Sequence, residues 1–101
     1  MKDLDSLFLK KTTTGKVIRS FRTNFSITQS EMSDAIGISP TNLSAIENDK
    51  RDIGVDVATR IGAFLGISPS ILLFPNGQDA AVRQYRDILK KAEKIKAKKA
   101  V

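Results

Sequence analysis

Hydrophobic residues between positions 15 and 74 recur every three or four residues, and short polar stretches separate the runs. This period is typical of short amphipathic helices, and no stretch alternates with the period of two expected of a half-buried strand. The first run follows the threonines at 12–14, which are candidate N-caps, and later runs cover Val55 to about Leu65 and a short helix through Phe74. The pattern predicts an all-α protein. The predicted inward positions of the first and fourth helices are Val17, Ile18, Phe21, Phe25, Val57, Ala58, Ile61, Phe64 and Leu65.

The stretch from Thr28 to Asn48 predicts two short helices joined by a tight turn at Gly37. Thr28 is positioned to cap the first of them, and Glu31 can reach back to close a capping box. Gly37 provides the left-handed residue at which the chain leaves that helix. The predicted core-facing residues of this pair are Met32, Ala35, Ile36, Ile38, Leu43 and Ile46.

The second helix of the pair is predicted to start at Ser39, as the N-cap, with Pro40 in its first turn. With Leu43 and Ile46 facing inward, Thr41, Asn42 and Ala45 are predicted to face outward, with Ser44 at the edge. Small and amide side chains on such a face can lie close to a DNA base edge. The arrangement is a helix-turn-helix, and its second helix is the candidate DNA reader.

Two extensions flank this part of the chain. Residues 1–14 are predicted to form an arm or a short helix, in which Leu4, Leu7 and Phe8 share a face. Residues 76–101 are predicted to form one basic helix from Gln78 onward, packed back on the domain or across a dimer through its first half. The domain between them covers residues 15–75. The apolar stripe of the last helix consists of Val82, Tyr85, Leu89, Ala92 and Ile95.

The net charge of +6 is unevenly distributed along the chain. Residues 1–27 carry a net +4 and residues 78–101 a net +5, whereas residues 28–52 carry −3. Because affinity for duplex DNA depends largely on neutralising phosphates, the cations must come from outside the acidic centre. The available sources are Lys16, Arg19, Lys50 and the two terminal segments.

Several classes of function are excluded by what the sequence lacks. It has no cysteine and no histidine, which argues against disulfides, thiolate catalysis and the usual zinc sites. No glycine-rich phosphate loop, nucleophile elbow or ligand cluster is present, so we predict no catalytic residue, no metal and no cofactor. Residues 1–11 contain acids and too short an apolar run for a signal peptide, and no segment reaches membrane-spanning length. We therefore predict a cytoplasmic protein that is not an enzyme.

From Gly15 to Phe74 the sequence resembles the phage repressor and Cro-type (XRE-like) helix-turn-helix DNA-binding family. About sixty residues are covered. The resemblance implies a five-helix, repressor-like domain that is usually dimeric and inserts its third helix into the major groove of a palindromic operator. The residues that carry the resemblance are Ile18-Arg19, Arg22, Thr28-Gln29, Gly37-Ile38-Ser39, Leu43-Ser44, Ile46-Glu47, Lys50-Arg51 and Leu65-Gly66-Ile67-Ser68.

The resemblance also implies roles for single residues. Gln29 becomes a phosphate contact at the start of helix 2, and Arg22 and Glu47 become a charged pair that braces helix 1 against helix 3. Asn42 is the preferred base reader, since an amide can pair bidentately with adenine. The predicted DNA-binding set is Gln29, Ser39, Thr41, Asn42, Ser44, Ala45, Asn48 and Lys50.

Two positions depart from the family pattern. Pro40 stands where many relatives carry a polar base contact, and Asp49 stands in a slot usually held by glycine beside the DNA backbone. Aspartate tolerates the left-handed backbone that such a slot needs, but its charge repels a nearby phosphate.

Alternative interpretations stay open at this point. The fold could serve protein contacts instead of DNA, and Gln29, Asn42 and Lys50 could be ordinary surface residues. The lysine-rich tail could be a solvated end, a non-specific DNA contact or a partner-binding helix. Two functions therefore follow: a dimeric transcriptional repressor, or an antitoxin-like autoregulator that binds a protein through residues 78–101 or 1–14.

Overall fold

A computed structural model describes residues 11–100, which form seven helices joined by short loops and contain no strand in that range. Within these residues, no helix combines the length and the apolar character that crossing a membrane requires. The predicted arm over residues 1–14 lies mostly outside the described residues. The helices are α1 (Thr14–Asn24), α2 (Gln29–Ile36), α3 (Pro40–Glu47), α4 (Val55–Leu65), α5 (Pro69–Leu73), α6 (Gln78–Arg83) and α7 (Arg86–Lys99).

Local capping determines where the first helices begin and end. The Thr13 hydroxyl accepts a hydrogen bond from the Lys16 amide at the start of α1, and Thr28 and Glu31 form the complete capping box of α2. Gly37 ends α2 with φ at 79°, in the left-handed region. A second left-handed glycine, Gly66, ends α4 in the same way. These starts and stops agree with the sequence predictions.

The core lies where the first five helices meet. Helix α1 packs against α3, α4 and α5, α2 packs against α3 and α4, and α4 packs against α5. Aliphatic side chains fill this core, as expected of a chain without tryptophan. The buried hydrophobic residues are Ile18, Met32, Ile36, Leu43, Ile46, Ala58, Ile61, Leu65 and Leu72.

Two predicted core positions are wrong. Phe25 is 60% exposed because α1 ends at Asn24, so Phe25 no longer follows the helical register. Ala35 is exposed, and α2 instead buries Ser33, whose hydroxyl donates to the Ser30 carbonyl of the previous turn. A serine can take a core position in a helix when its hydroxyl has such a partner.

The C-terminal segment also differs from the single helix that the sequence predicted. It forms two helices, α6 and α7, with a break at Gln84 and Tyr85. Its predicted stripe does not pack back on the domain, because Val82, Tyr85 and Leu89 are 43 to 59% exposed. Packing of this stripe across a dimer stays a prediction.

Candidate nucleic-acid interface

The outer surface of α3 and the loop after it form a continuous shallow face, which we call the reading face. Its side chains are small, polar or cationic, so the helix backbone can come close to the edges of DNA bases. Thr41, Asn48 and Lys50 are exposed, and Ser44 and Ala45 are half-buried. The residues that line this face are Pro40, Thr41, Ser44, Ala45, Asn48 and Lys50.

Asn42 lies at the margin of this face and not on it. Its side chain is half-buried, and its Oδ1 atom is hidden from solvent without a hydrogen-bond partner. Bidentate pairing with adenine needs both ends of the amide, and here only one end is at the surface. The prediction that Asn42 faces outward is therefore wrong in part, and reading a base with it requires rotation of the side chain.

Ser39 and Asn48 hold the two ends of α3. The Ser39 hydroxyl accepts a hydrogen bond from the Asn42 amide at 3.0 Å, which caps the helix. At the other end, Asn48 Nδ2 donates to the Ser44 carbonyl at 2.8 Å, and Arg19 Nη2 donates to Asn48 Oδ1 at 3.0 Å. Asn48 therefore connects the reading face to an exposed cation on α1. Lys50 is the second cation of this region, and in the part of the chain that the structure describes its ammonium enters no salt bridge.

The ion pair predicted between Arg22 and Glu47 is present and bidentate. Arg22 Nε donates to Glu47 Oε2 at 2.6 Å, and Nη2 donates to Oε1 at 2.9 Å. The Glu47 side chain is fully buried, whereas that of Arg22 is 12% exposed. This geometry fixes α3 to α1 in one orientation, because a planar guanidinium matches a carboxylate in only a few arrangements.

The structure gives Gln29 an intramolecular partner. Its Nε2 atom donates to Glu47 Oε1 at 2.9 Å, so α2 joins the link between α1 and α3. The phosphate contact predicted for Gln29 stays a prediction. A phosphate would have to bind Gln29 beside its hydrogen bond to Glu47 or in place of that bond. Burial raises the pKa of Glu47, but hydrogen bonds from Arg22 and Gln29 and the charges of Arg22 and Arg19 outweigh burial and lower it. Glu47 is therefore ionised at neutral pH.

Asp49 forms a contact that sequence reasoning did not find. It has a left-handed backbone with φ at 58°, and its carboxylate points to the start of α1. There Oδ1 accepts from the Gly15 amide at 2.9 Å, and Oδ2 accepts from the Thr13 hydroxyl at 2.6 Å. The carboxylate also stands at the positive end of the α1 dipole. Asp49 thus joins the loop after α3 to the first turn of α1.

Gly15 makes this close approach possible. A Cβ at this position would lie 2.5 Å from the Glu47 carbonyl oxygen and 2.6 Å from that of Ile46. Both atoms belong to the backbone and cannot move aside alone. Any larger residue at position 15 would push the end of α3 away from α1.

These contacts explain how an acidic segment can accompany a DNA-facing helix. Of its five acids, Glu47 is buried in an ion pair, Asp49 caps α1, and Glu31 closes the capping box of α2. Asp34 and Asp52 are the exposed acids that remain. Only Glu47 of these five acids is buried, but backbone amides at helix starts hold the carboxylates of Glu31 and Asp49, and no acid lines the reading face.

The chain is similar to known helix-turn-helix proteins in sequence and in fold. The helix-turn-helix family model matches residues 18–72, which is more than half of the chain. The chain belongs to the phage repressor and Cro-type helix-turn-helix family. This membership makes it a DNA-binding regulator of transcription. Comparison with curated protein sequences finds no match.

Solved structures share the fold at low sequence identity. The P22 c2 repressor bound to a synthetic operator is 24% identical and covers 62% of this chain and 96% of its own, with a TM-score of 0.60. The Pseudomonas aeruginosa antitoxin HigA, solved with the higBA promoter, is 21% identical, with a TM-score of 0.62. The match covers 83% of this chain and 92% of the HigA chain. A putative antidote protein of a plasmid maintenance system from Nostoc punctiforme is 22% identical, with a TM-score of 0.60. This match covers 84% of this chain and 97% of the antidote protein.

Proposed function

We propose that this chain is a sequence-specific repressor that binds a palindromic operator as a homodimer. Each subunit inserts α3 into the major groove, and occupancy of the operator blocks transcription. The observation that carries the proposal is the reading face, which α1 and α2 hold in place through hydrogen bonds to Glu47 and Asp49. A pre-oriented helix loses little conformational freedom on binding.

The need for a second subunit follows from how little one reading face offers. Pro40 and Ala45 can make only apolar contacts, and both ends of the Asn48 amide are engaged within the chain. Thr41 and Ser44 are left as hydroxyl donors or acceptors to base edges. A good bidentate base contact contributes about 1–3 kcal/mol of discrimination, and neither hydroxyl provides one. Two copies on half-sites about 34 Å apart double these contacts.

A selection of randomised oligonucleotides with the full chain tests this proposal. We expect enrichment of a two-fold symmetric site whose half-sites lie one helical turn apart. Recovery of a single, asymmetric half-site would refute the dimer, and failure to enrich any sequence would refute sequence-specific binding.

Single substitutions separate base reading from phosphate binding. Thr41→Ala and Ser44→Ala are expected to relax the preference at individual base steps. Lys50→Ala is expected to weaken binding to all sequences about equally. It should also make the slope of log K against log salt concentration shallower by about 1. Asn42→Ala tests the assignment made from sequence: unchanged affinity and preference would remove Asn42 from the set of readers. Ser70→Ala, an exposed serine on α5, is the matched control.

A second candidate function is an antitoxin-like autoregulator, favoured by the exposed stripe on α6 and α7 and by the likeness to HigA over most of the chain. In that case residues 15–75 bind DNA, and residues 78–101 or 1–14 bind another protein. Truncation after Gly77 separates the two functions. Loss of a co-purifying protein with retained operator binding supports the autoregulator, whereas loss of dimerisation alone supports the repressor.

A further inference from the structure

A run of large apolar side chains is exposed along α6 and α7. We call it the C-terminal stripe: Val82, Tyr85, Ile88, Leu89 and Ile95, each between 43% and 61% exposed. A contiguous exposed apolar surface is the usual mark of an interaction site. The helix that carries most of it has 14 residues, a length at which an isolated helix is only marginally stable in water. A partner for the stripe would therefore also stabilise α7.

The entry of the chain into α1 is fixed beside this stripe. Asn76 receives a hydrogen bond from the Thr12 amide at 2.9 Å and donates one to the Thr12 carbonyl at 3.0 Å. The Thr14 hydroxyl donates to the Leu72 carbonyl at 2.7 Å. Lys11 and Tyr85 line one groove, which has a volume of about 320 Å³. Lys11, to which residues 1–10 are joined, therefore lies next to the start of the stripe.

Sequence and charge make these residues a suitable occupant. Leu4, Leu7 and Phe8 share one face at helical spacing. The two acids of residues 1–10 balance their two lysines, so the segment adds no net positive side-chain charge to the cations around the stripe. A second copy of α6 and α7 is a less favourable occupant than residues 1–10, because residues 78–101 carry a net +5 and two copies side by side repel each other.

The tether is also long enough. Leu7 precedes Lys11 by four residues, which can span up to about 13 Å when extended. Leu89 lies one helical turn, about 6 Å, beyond Tyr85. We propose that residues 1–10 dock on the C-terminal stripe of the same chain through Leu4, Leu7 and Phe8. This inference goes beyond the proposed function, since it requires neither DNA nor a second subunit.

Cysteine pairs test the docking directly, because the full chain contains no cysteine of its own. One variant combines Leu7→Cys with Leu89→Cys, and the matched control combines Leu7→Cys with Lys91→Cys. Leu89 and Lys91 are two residues apart on α7 and point to nearly opposite sides of the helix. Both variants are oxidised with glutathione disulfide at low protein concentration, and the products are separated on a non-reducing gel.

We expect the intrachain disulfide to form at least about tenfold faster with Leu89→Cys than with Lys91→Cys, because docking holds one pair together. Adding Phe8→Asp should abolish this difference, whereas Ser6→Asp, which adds the same charge beside the apolar face, should preserve it. Equal rates in the two cysteine pairs would overturn the proposal. A disulfide that forms chiefly between two chains would also overturn it, by showing that the stripe binds another copy.

Discussion

Removal of the Arg22 guanidinium tests how firmly α3 is held. In Arg22→Met the buried Glu47 carboxylate loses two charge-assisted hydrogen bonds and keeps only the one from Gln29. Breaking a buried ion pair by removing one partner costs about 3–5 kcal/mol. We expect a loss near the lower limit, about 3 kcal/mol, because Arg19 Nε remains 3.6 Å from Glu47 Oε1.

The loss should also depend on pH in a defined direction. In the wild type the folded-state pKa of Glu47 is lowered, so its contribution is present above the unfolded pKa, about 4.3, and is lost as pH falls through the folded pKa. Without Arg22, burial is less opposed, and the folded-state pKa of Glu47 must rise. The difference in stability between wild type and variant should therefore be largest at pH 7 and shrink as the pH falls towards 4.

Urea unfolding followed by far-ultraviolet circular dichroism at several pH values measures this difference. The matched control is Asp56→Ala, which breaks the pair with Arg60 at 3.2 Å, where the side chains are 76% and 48% exposed. That change should cost less than about 1 kcal/mol. If Arg22→Met costs no more than Asp56→Ala, or if its cost does not change with pH, the buried ion pair does not hold α3 in place.

Three further changes test other contacts by the same unfolding measurement. Gly15→Ala should lower the free energy of unfolding by more than about 2 kcal/mol, because its Cβ meets backbone oxygens. Gly54→Ala, which has nothing within 4 Å of its Cβ, should lose less than about 1 kcal/mol, the cost expected of alanine at the N-cap of α4. Similar losses in the two variants would contradict the close approach. Thr28→Ala removes the cap of α2 and should lower the free energy of unfolding by about 1 kcal/mol. Thr23→Ala, which changes an exposed threonine within a helix, should lower it by almost nothing. Equal losses would argue against the capping box. Asp49→Asn should lower the free energy of unfolding by about 1 kcal/mol, since only one of the two oxygen acceptors remains. An unchanged stability would show that this carboxylate does not support α1.

The helix-turn-helix could be predicted because its determinants are local. The capping box at Thr28, the left-handed Gly37 and the Ser39-Pro40 start each act within about one turn of helix, so their residues stand close together in the sequence. The resemblance to a known family added the pair between Arg22 and Glu47, which are separated by 25 positions.

Contacts over long sequence separations could not be predicted in the same way. Asp49 and Gly15 are 34 residues apart, and no local pattern links a loop aspartate with the first turn of another helix. The burial of one end of the Asn42 amide likewise depends on how α3 packs, which its helical position alone does not specify. The break at Tyr85 lies at neither a glycine nor a proline, so the sequence contains no marker for it.

Nuclear magnetic resonance of the full chain, titrated with the duplex recovered from selection, shows directly whether α3 contacts the DNA. We expect the amide signals of the reading face to shift most, at Thr41, Ser44, Ala45, Asn48 and Lys50. Signals of exposed residues on α4, such as Thr59 and Ala63, should change little. Tight binding of the duplex with an unperturbed reading face, and with shifts confined to the lysines of α7, would contradict this expectation.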